Sequence, residues 1–354
     1  MRLRVHGTMT GVRVLWIVLT VALIACGDSR TSRSEQPVGR AFYYWRTTFS
    51  LSPIERQALA DAGIDRLYVR MFDVEWNATE RAPRMIGKLS AASDQRVPPG
   101  IEVVPVVFLR QDIFKHLDAA GGAKLARELW VEARRRAEML GATPRELQLD
   151  CDWTDASRDR WFGFVRDVKQ ASGVTLSSTI RLHQIKYREK TGVPPVERGM
   201  LMFYNMGKFS SEVDDRAIFD ATTAAKYLDR VGDYPLPLDV VLPVWSWTVH
   251  IRDDRVIDLL QSTDPDELPS HDFLIPAGLD RYAATRNAFL HGTLLREGDV
   301  LKIERMGPSD VRTAADLVIP HLAPGARSVA LFDLSERNLQ RHGTDSLRQL
   351  FSSF

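Results

Sequence analysis

Past residue 38 the chain alternates short apolar runs with stretches of helical period. Eight runs read as strands: Arg40–Thr48, Arg66–Phe72, Glu102–Leu109, Glu146–Asp152, Val174–His183, Gly199–Met206, Leu238–Trp247 and Arg327–Asp333. The third, Val-Val-Pro-Val-Val-Phe, is apolar almost throughout, as a strand covered on both faces must be. The fourth, Glu-Leu-Gln-Leu-Asp-Cys-Asp, alternates: Leu147, Leu149 and Cys151 share one face, and Gln148, Asp150 and Asp152 the other. Helical patterns fall between the runs. One opens at Ser52-Pro53, with Ser as cap and Pro at the first helical position, and ends near Gly63. Others cover roughly Ala120–Leu140, Ser157–Ala171, Thr222–Arg230 and Ser309–Leu322, and Thr344–Ser353 closes the chain. Residues 74–100 form a polar excursion, and 250–308 read as irregular. Eight strands separated by helices or long crossovers predict a (β/α)8 TIM-type barrel with long insertions after strands 2 and 7. A doubly wound sheet is the alternative, weakened because no glycine-rich phosphate loop follows the first strand.

The first 38 residues break this pattern. Arg2, Arg4 and Arg13 precede an apolar run, Val14–Ala25, that ends at Cys26. A positive segment followed by a short apolar one reads as a signal peptide. Leu23-Ile24-Ala25-Cys26 resembles the lipobox of bacterial lipoproteins, whose Cys becomes the lipidated N-terminus. The expected organisation is a signal peptide at 1–25, a lipidated Cys26 with a polar tether at 26–38, and a barrel domain at 39–354. The resemblance implies a lipid-anchored protein of the bacterial cell envelope, facing the periplasm or surface at the outer membrane. Cys151 then has no disulfide partner and reads as a small buried apolar residue.

The 354 residues carry 47 basic and 46 acidic side chains, for a formal net charge of +1. That balance, with no long run of like charge, gives no electrostatic footprint for nucleic acid. A monomer is expected.

Barrel chemistry gathers where strands finish. The strand ends here supply Trp45; Arg70 and Asp73; Asp150, Asp152 and Trp153; Arg181 and His183; Tyr204 and Asn205; Trp245 and Trp247; Asp333 and Glu336. Two carboxylates on one face of a buried strand repel each other and cost desolvation. A rim that offers water, arginine or ligand tolerates them. Aromatic faces stack on pyranose C–H faces, charged groups bond hydroxyls, and a carboxylate pair can serve acid and nucleophile roles, so a sugar site fits this set. Arg70 and Arg181 serve either to neutralise Asp150 and Asp152 or to touch substrate. His183 alone reads as structural as readily as functional. Asp150, Asp152 and His183 could hold a metal, but no HExxH, paired Cys or EF-hand pattern accompanies them, and neither a metal nor a cofactor is expected. No G-x-S-x-G elbow occurs.

Leu149-Asp150-Cys151-Asp152-Trp153-Thr154 resembles the fourth-strand signature of family 18 glycoside hydrolases, the chitinase-like barrels, written D-x-x-D-x-D-x-E. Met202-Phe203-Tyr204-Asn205 resembles their sixth-strand M-x-Y-D/N motif. The resemblance implies that Asp152 orients a substrate acetamido group, that Tyr204 supports its oxygen, and that Asp150 tunes its neighbour. Two positions depart. Thr154 stands where the family has its catalytic Glu, and Leu147 where it has its first Asp. A Thr hydroxyl cannot protonate a glycosidic oxygen near neutral pH. The reading is a glycoside-hydrolase-like lipoprotein acting on a polysaccharide or envelope glycan. In it Asp152, Asp150 and Tyr204 are catalytic, and Trp45, Trp153, Trp245 and Trp247 are sugar platforms. The alternative is a non-catalytic glycan-binding or envelope-assembly lipoprotein on the same scaffold. A metal-dependent hydrolase ranks third.

Overall fold

The structure is a computed structural model. It describes residues 38–354, apart from 208, 213, 214, 261, 262 and 324–326, together with 1, 3 and 4. Cys26 and nearly all of the expected leader and tether lie outside the described residues. The fold described is that of the unit Gln36–Phe354.

Eight parallel strands close a barrel: β1 (Gly39–Tyr44), β2 (Arg66–Asn77), β3 (Glu102–Leu109), β4 (Glu146–Asp150), β5 (Thr175–Arg181), β6 (Arg198–Met202), β7 (Leu238–Pro243) and β8 (Ser328–Phe332). Each pairs with the next, and β1 closes the ring by pairing with both β2 and β8. The (β/α)8 expectation holds. Alternation sorts the strands' side chains into two layers. Ala41, Tyr43, Tyr68, Val104, Met200 and Val241 fill the barrel, while Leu147, Leu149 and Cys151 face the helices. The interior of β4 and β5 is polar and internally bonded. The Tyr43 hydroxyl donates to Gln148 Oε1 at 2.5 Å, and Ser177 Oγ donates to Glu146 Oε1 at 2.5 Å. Each buried polar atom so paired avoids the cost of an unmet hydrogen bond.

Helices follow the expected positions closely. Pro53–Asp61 is opened by a Ser52–Glu55 capping box, and Ala119–Met139 and Arg158–Ser172 pack on one another outside the barrel. Sequence reading missed the helix Glu336–His342, which Ser335 caps.

Both excursions carry more order than their composition suggested. The polar stretch after β2 is a hairpin: β2 runs on to Asn77 and pairs antiparallel with Ala82–Ile86. The region 250–308 is not irregular. With Ser246–Arg252 it builds a five-stranded sheet in the order Arg255–Leu260, Ser246–Arg252, Val300–Arg305, Arg281–Ala284, Leu274–Pro276. Its strands are short, and its tight turns lack the usual Asn-Gly signal. Asp253 and Asp254, at φ 48° and 56°, turn one of its hairpins, and His291 and Gly292, at 45° and 84°, turn a separate two-stranded hairpin, Ala288–Leu290 with Thr293–Leu295. Two-residue hairpin turns of this hand need positive φ at both central residues.

Candidate functional site

The C-terminal ends of the strands surround a cleft of about 810 Å³. Trp45, Arg70, Asp73, Asp150, Asp152, Arg181, Tyr204, Asn205, Trp245, Trp247 and Asp333 line it, which brings together most of the strand-end candidates.

Asp150 sits at the end of β4 and is 4% exposed. Thr179 Oγ1, on the neighbouring strand, donates to Asp150 Oδ1 at 2.6 Å. Burial pushes the Asp150 carboxyl above its ordinary pKa. Arg181 opposes that shift, and the charge of Asp152 reinforces it. Asp152 lies one residue pair further, beyond the strand, and its side chain is half exposed. Arg181 Nε donates to Asp152 Oδ1 at 2.6 Å, and Arg181 Nη2 stands 3.9 Å from Asp150 Oδ1. Burial works against the Arg181 charge, but the two carboxylates outweigh it and hold the guanidinium protonated. The arginine therefore bridges both acids, with the cleft open beside them.

A second ion pair faces these from β2. Arg70 grips Asp73 through Nε at 2.8 Å and Nη2 at 2.5 Å. In a regular strand, positions 70 and 73 face opposite sides. The pairing with β3 shifts register between Arg70 and Phe72, and this bulge turns both side chains to the cleft.

Aromatic rings make the remaining wall. Trp45 and Trp245 each stand 5.3 Å from Phe332 between centroids, Tyr204 meets Trp245 edge-on at 4.8 Å, and Trp245 meets Trp247 at 6.0 Å. Burial holds the Tyr204 hydroxyl protonated far above its usual range. Asp333, just past β8, accepts from Asn338 Nδ2 at 2.9 Å. Burial raises its carboxyl too, against the opposing influence of its own backbone N–H, Arg46 and Asn338.

Three expected residues stand elsewhere. The Trp153 ring is fully buried behind β4, near Trp161 and Phe162, and its Nε1 donates to Thr191 O at 2.8 Å. It belongs to the layer between barrel and helices and is no platform for the cleft. Position 153 follows Asp152, so strand alternation sends it outward. Glu336 is exposed in the first turn of its helix and does not line the cleft. His183 lines an adjoining hollow of about 480 Å³, shared with Thr154, Asp152, Arg181, Tyr204 and Asn205. Burial lowers its imidazole pKa, which favours the neutral ring. Thr154 itself is held by its backbone, whose N–H donates to Ser157 Oγ at 3.0 Å.

Asp150, Asp152 and His183 do not converge as metal ligands: among the described residues no group of three or more His, Cys, Asp or Glu is placed to hold an ion. Cys151 is buried and free, and burial raises its thiol pKa, so it packs as a small apolar residue.

The cleft also includes Phe108, Phe332, Arg337 and Asn338, which the sequence reading passed over. Phe108 and Phe332 sit at the last inward positions of β3 and β8, so strand alternation could have found them. Arg337 and Asn338 come from the helix that went unrecognised.

No family model matches the chain, and no curated protein matches it in sequence. Solved structures do match in fold. A mutant GH18 chitinase from Cycas revoluta, in complex with (GlcNAc)4, aligns over 89% of this chain and 99% of its own at 12% identity and a TM-score of 0.51. A chitinase from Bacillus thuringiensis aligns over 90% of this chain and 70% of its own at 10% identity and a TM-score of 0.51. The chain therefore shares the (β/α)8 fold of these chitinases.

Proposed function

We propose that the cleft at the C-terminal end of the barrel binds a neutral glycan. The observation that carries this reading is a cleft walled by Trp45, Tyr204, Trp245 and Trp247 in which charge is already balanced. Its arginines are each engaged by a carboxylate: Arg46 with Glu55 and Arg70 with Asp73, Arg181 with Asp152 and Arg337 with Asp264. An anionic sugar would have to break one of these pairs. A neutral one can stack on the rings and bond the exposed oxygens and N–H groups. The fold shared with chitinases, and the (GlcNAc)4 in the complex of the Cycas revoluta chitinase, support the reading.

A second reading, glycosidic bond hydrolysis, is favoured by one feature. Asp150 and Asp333, on opposite strands of the barrel, are both biased by burial toward holding a proton. A general acid must hold a proton near working pH. Asp333 is the acid on this reading, since Thr154 cannot act as one, and Asp152 is the partner carboxylate. Lipid tethering through Cys26 in the cell envelope belongs to the same proposal and rests on the lipobox. Among the described residues no helix is long and apolar enough to cross a membrane.

Calorimetry against β-1,4-linked tetramers of GlcNAc, glucose and mannose, with a tetragalacturonate as the anionic comparison, tests the binding. Tight binding of a neutral tetramer, lost in Trp245→Ala, is expected. Binding of the anionic tetramer alone overturns the reading. Release of shorter sugars by the wild type, abolished in Asp333→Asn, distinguishes the hydrolase from the binder.

A further inference from the structure

The sheet inserted after β7 is more than a decoration of the barrel: one of its buried carboxylates reaches the wall of the cleft. Glu304 lies on Val300–Arg305, directly opposite Trp247 in the antiparallel register. It is 5% exposed. Its Oε2 accepts three N–H groups from two separate parts of the chain: Trp247 Nε1 at 3.1 Å, Ala217 N at 2.9 Å and Ile218 N at 3.3 Å. Lys302, 3% exposed, places its Nζ 3.4 Å from Glu304 Oε1 and donates to the carbonyl oxygen of Asp215 at 2.5 Å.

The segment that Glu304 holds returns to the cleft. Asn205 N donates to Ile218 O at 2.8 Å, and Met206 N donates to Ala217 O at 3.0 Å. Asn205 takes a left-handed backbone conformation, φ 55°, which Asn tolerates better than most residues, and the two N–H bonds to 217–218 hold it there. One carboxylate thus fixes the ring of Trp247, on the neighbouring strand of the inserted sheet, and ties the loop of Asn205 to that sheet. A buried charge is expensive to leave unpaired. Here it is met by Lys302 and three N–H donors. Charge-assisted hydrogen bonds of this kind are roughly twice as strong as neutral ones.

We infer that Glu304 is a positioning residue that fixes the Trp247 ring and the Asn205 loop as one rigid wall for the glycan. The inference rests on the proposed glycan reading. The inserted sheet is then a buttress that sets how tightly the cleft grips its ligand. Glu304 touches no ligand itself; it acts through Trp247 and the 217–218 backbone.

The test is a double-mutant cycle on full-length protein. The probes are the GlcNAc, glucose and mannose tetramers, read by calorimetry, with intrinsic tryptophan emission recorded on the same samples. Glu304→Ala is expected to weaken the bound tetramer about tenfold or more, and Glu304→Gln, which keeps an acceptor oxygen, to restore most of it. Glu304→Ala in a Trp247→Ala background is expected to add less than twofold, while Glu304→Ala and Trp45→Ala combine multiplicatively. Without ligand, Glu304→Ala should red-shift tryptophan emission, and that shift should vanish in a Trp247→Phe background. Full additivity with Trp247→Ala, or unchanged affinity and emission in Glu304→Ala, overturns the inference. Wild-type protein that binds none of the tetramers defeats the glycan reading, and the emission arm still decides whether Glu304 fixes Trp247. Should Glu304→Ala fail to fold, the Glu304→Gln and Glu304→Asp pair gives the same comparison, with Asp drawing the oxygen back from Nε1.

Discussion

Arg181 is the counter-ion of a buried acid, and its removal has a calculable consequence. Arg181→Met takes away the guanidinium that stands 3.9 Å from Asp150 Oδ1. At that separation, with an effective dielectric near 20, the attraction is about 4 kcal/mol. The pair with Asp152 adds little, because the Asp152 side chain is half exposed and screened by water, and such pairs contribute about 0–1 kcal/mol. Relief of the arginine's own desolvation offsets part of the sum. The expected loss at pH 7 is about 3 kcal/mol, within the range for breaking a buried pair. The pH dependence carries a definite sign. Asp150 titrates higher in the folded state than its ordinary 3.8, so the folded protein keeps a proton that the unfolded chain has released. Its contribution therefore falls as pH rises from about 4 through the raised folded value. Arg181 is the largest influence opposing that rise, so its loss moves the folded value further up and widens the window. Urea unfolding of the wild type, Arg181→Met, Asp150→Asn and the double variant, at pH 7 and pH 4, measures this. The Arg181→Met deficit should shrink at pH 4, and Asp150→Asn should restore about 2 kcal/mol of it at pH 7. Strict additivity to within about 0.5 kcal/mol, or a deficit equal at both pH values, refutes the reasoning.

Two further substitutions separate stability from recognition. Trp153→Phe removes the Nε1 donor to Thr191 O and leaves a buried carbonyl unmatched, so thermal unfolding should show a loss of about 2–3 kcal/mol while tetrasaccharide affinity stays unchanged. At Gly207 an added Cβ would stand 2.5 Å from the Arg216 carbonyl oxygen, so Gly207→Ala must shift the loop that carries Asn205. A stability loss of about 1–3 kcal/mol with weakened tetramer binding is expected by unfolding and calorimetry; unchanged binding would mean that the loop does not serve the cleft.

The barrel was legible because its signal is redundant. Eight apolar runs, a capped first helix and the alternation across Leu147–Asp152 all point to the same topology, and local choices that agree in this way specify a fold. Rim residues were legible where strand ends are sharp, as at Asp150, Tyr204 and Asp333. What escaped depends on geometry beyond period two. The bulge at Arg70–Phe72 that turns Arg70 and Asp73 to one side leaves no compositional mark. Turns at Asp253-Asp254 and His291-Gly292 adopt positive φ without the usual Asn-Gly pair. Trp153 was misassigned because a strand-end aromatic is inward or outward by parity, and position 153 falls on the outward count.

Partnership, more than residue type, separates the acids of this cleft, and partnership is set by strands distant in sequence. Asp73 and Asp152 are ion-paired, each at 2.5–2.6 Å from an arginine. Asp150 and Asp333 are bonded mainly by uncharged donors, Thr179 and Asn338. Burial biases the second pair toward the protonated form. Four identical side chains at one rim thus divide into two that are gripped by arginines and two whose carboxyls burial shifts upward. Of the second pair, Asp150 lies 3.9 Å from a guanidinium that favours its ionised form. Asp333 has no arginine in ion-pair contact among the described residues, although Arg46 bears on it from a distance. The raised acid without an arginine in ion-pair contact thus stands at the end of β8, across the barrel from the strand that carries the stretch resembling the family 18 signature.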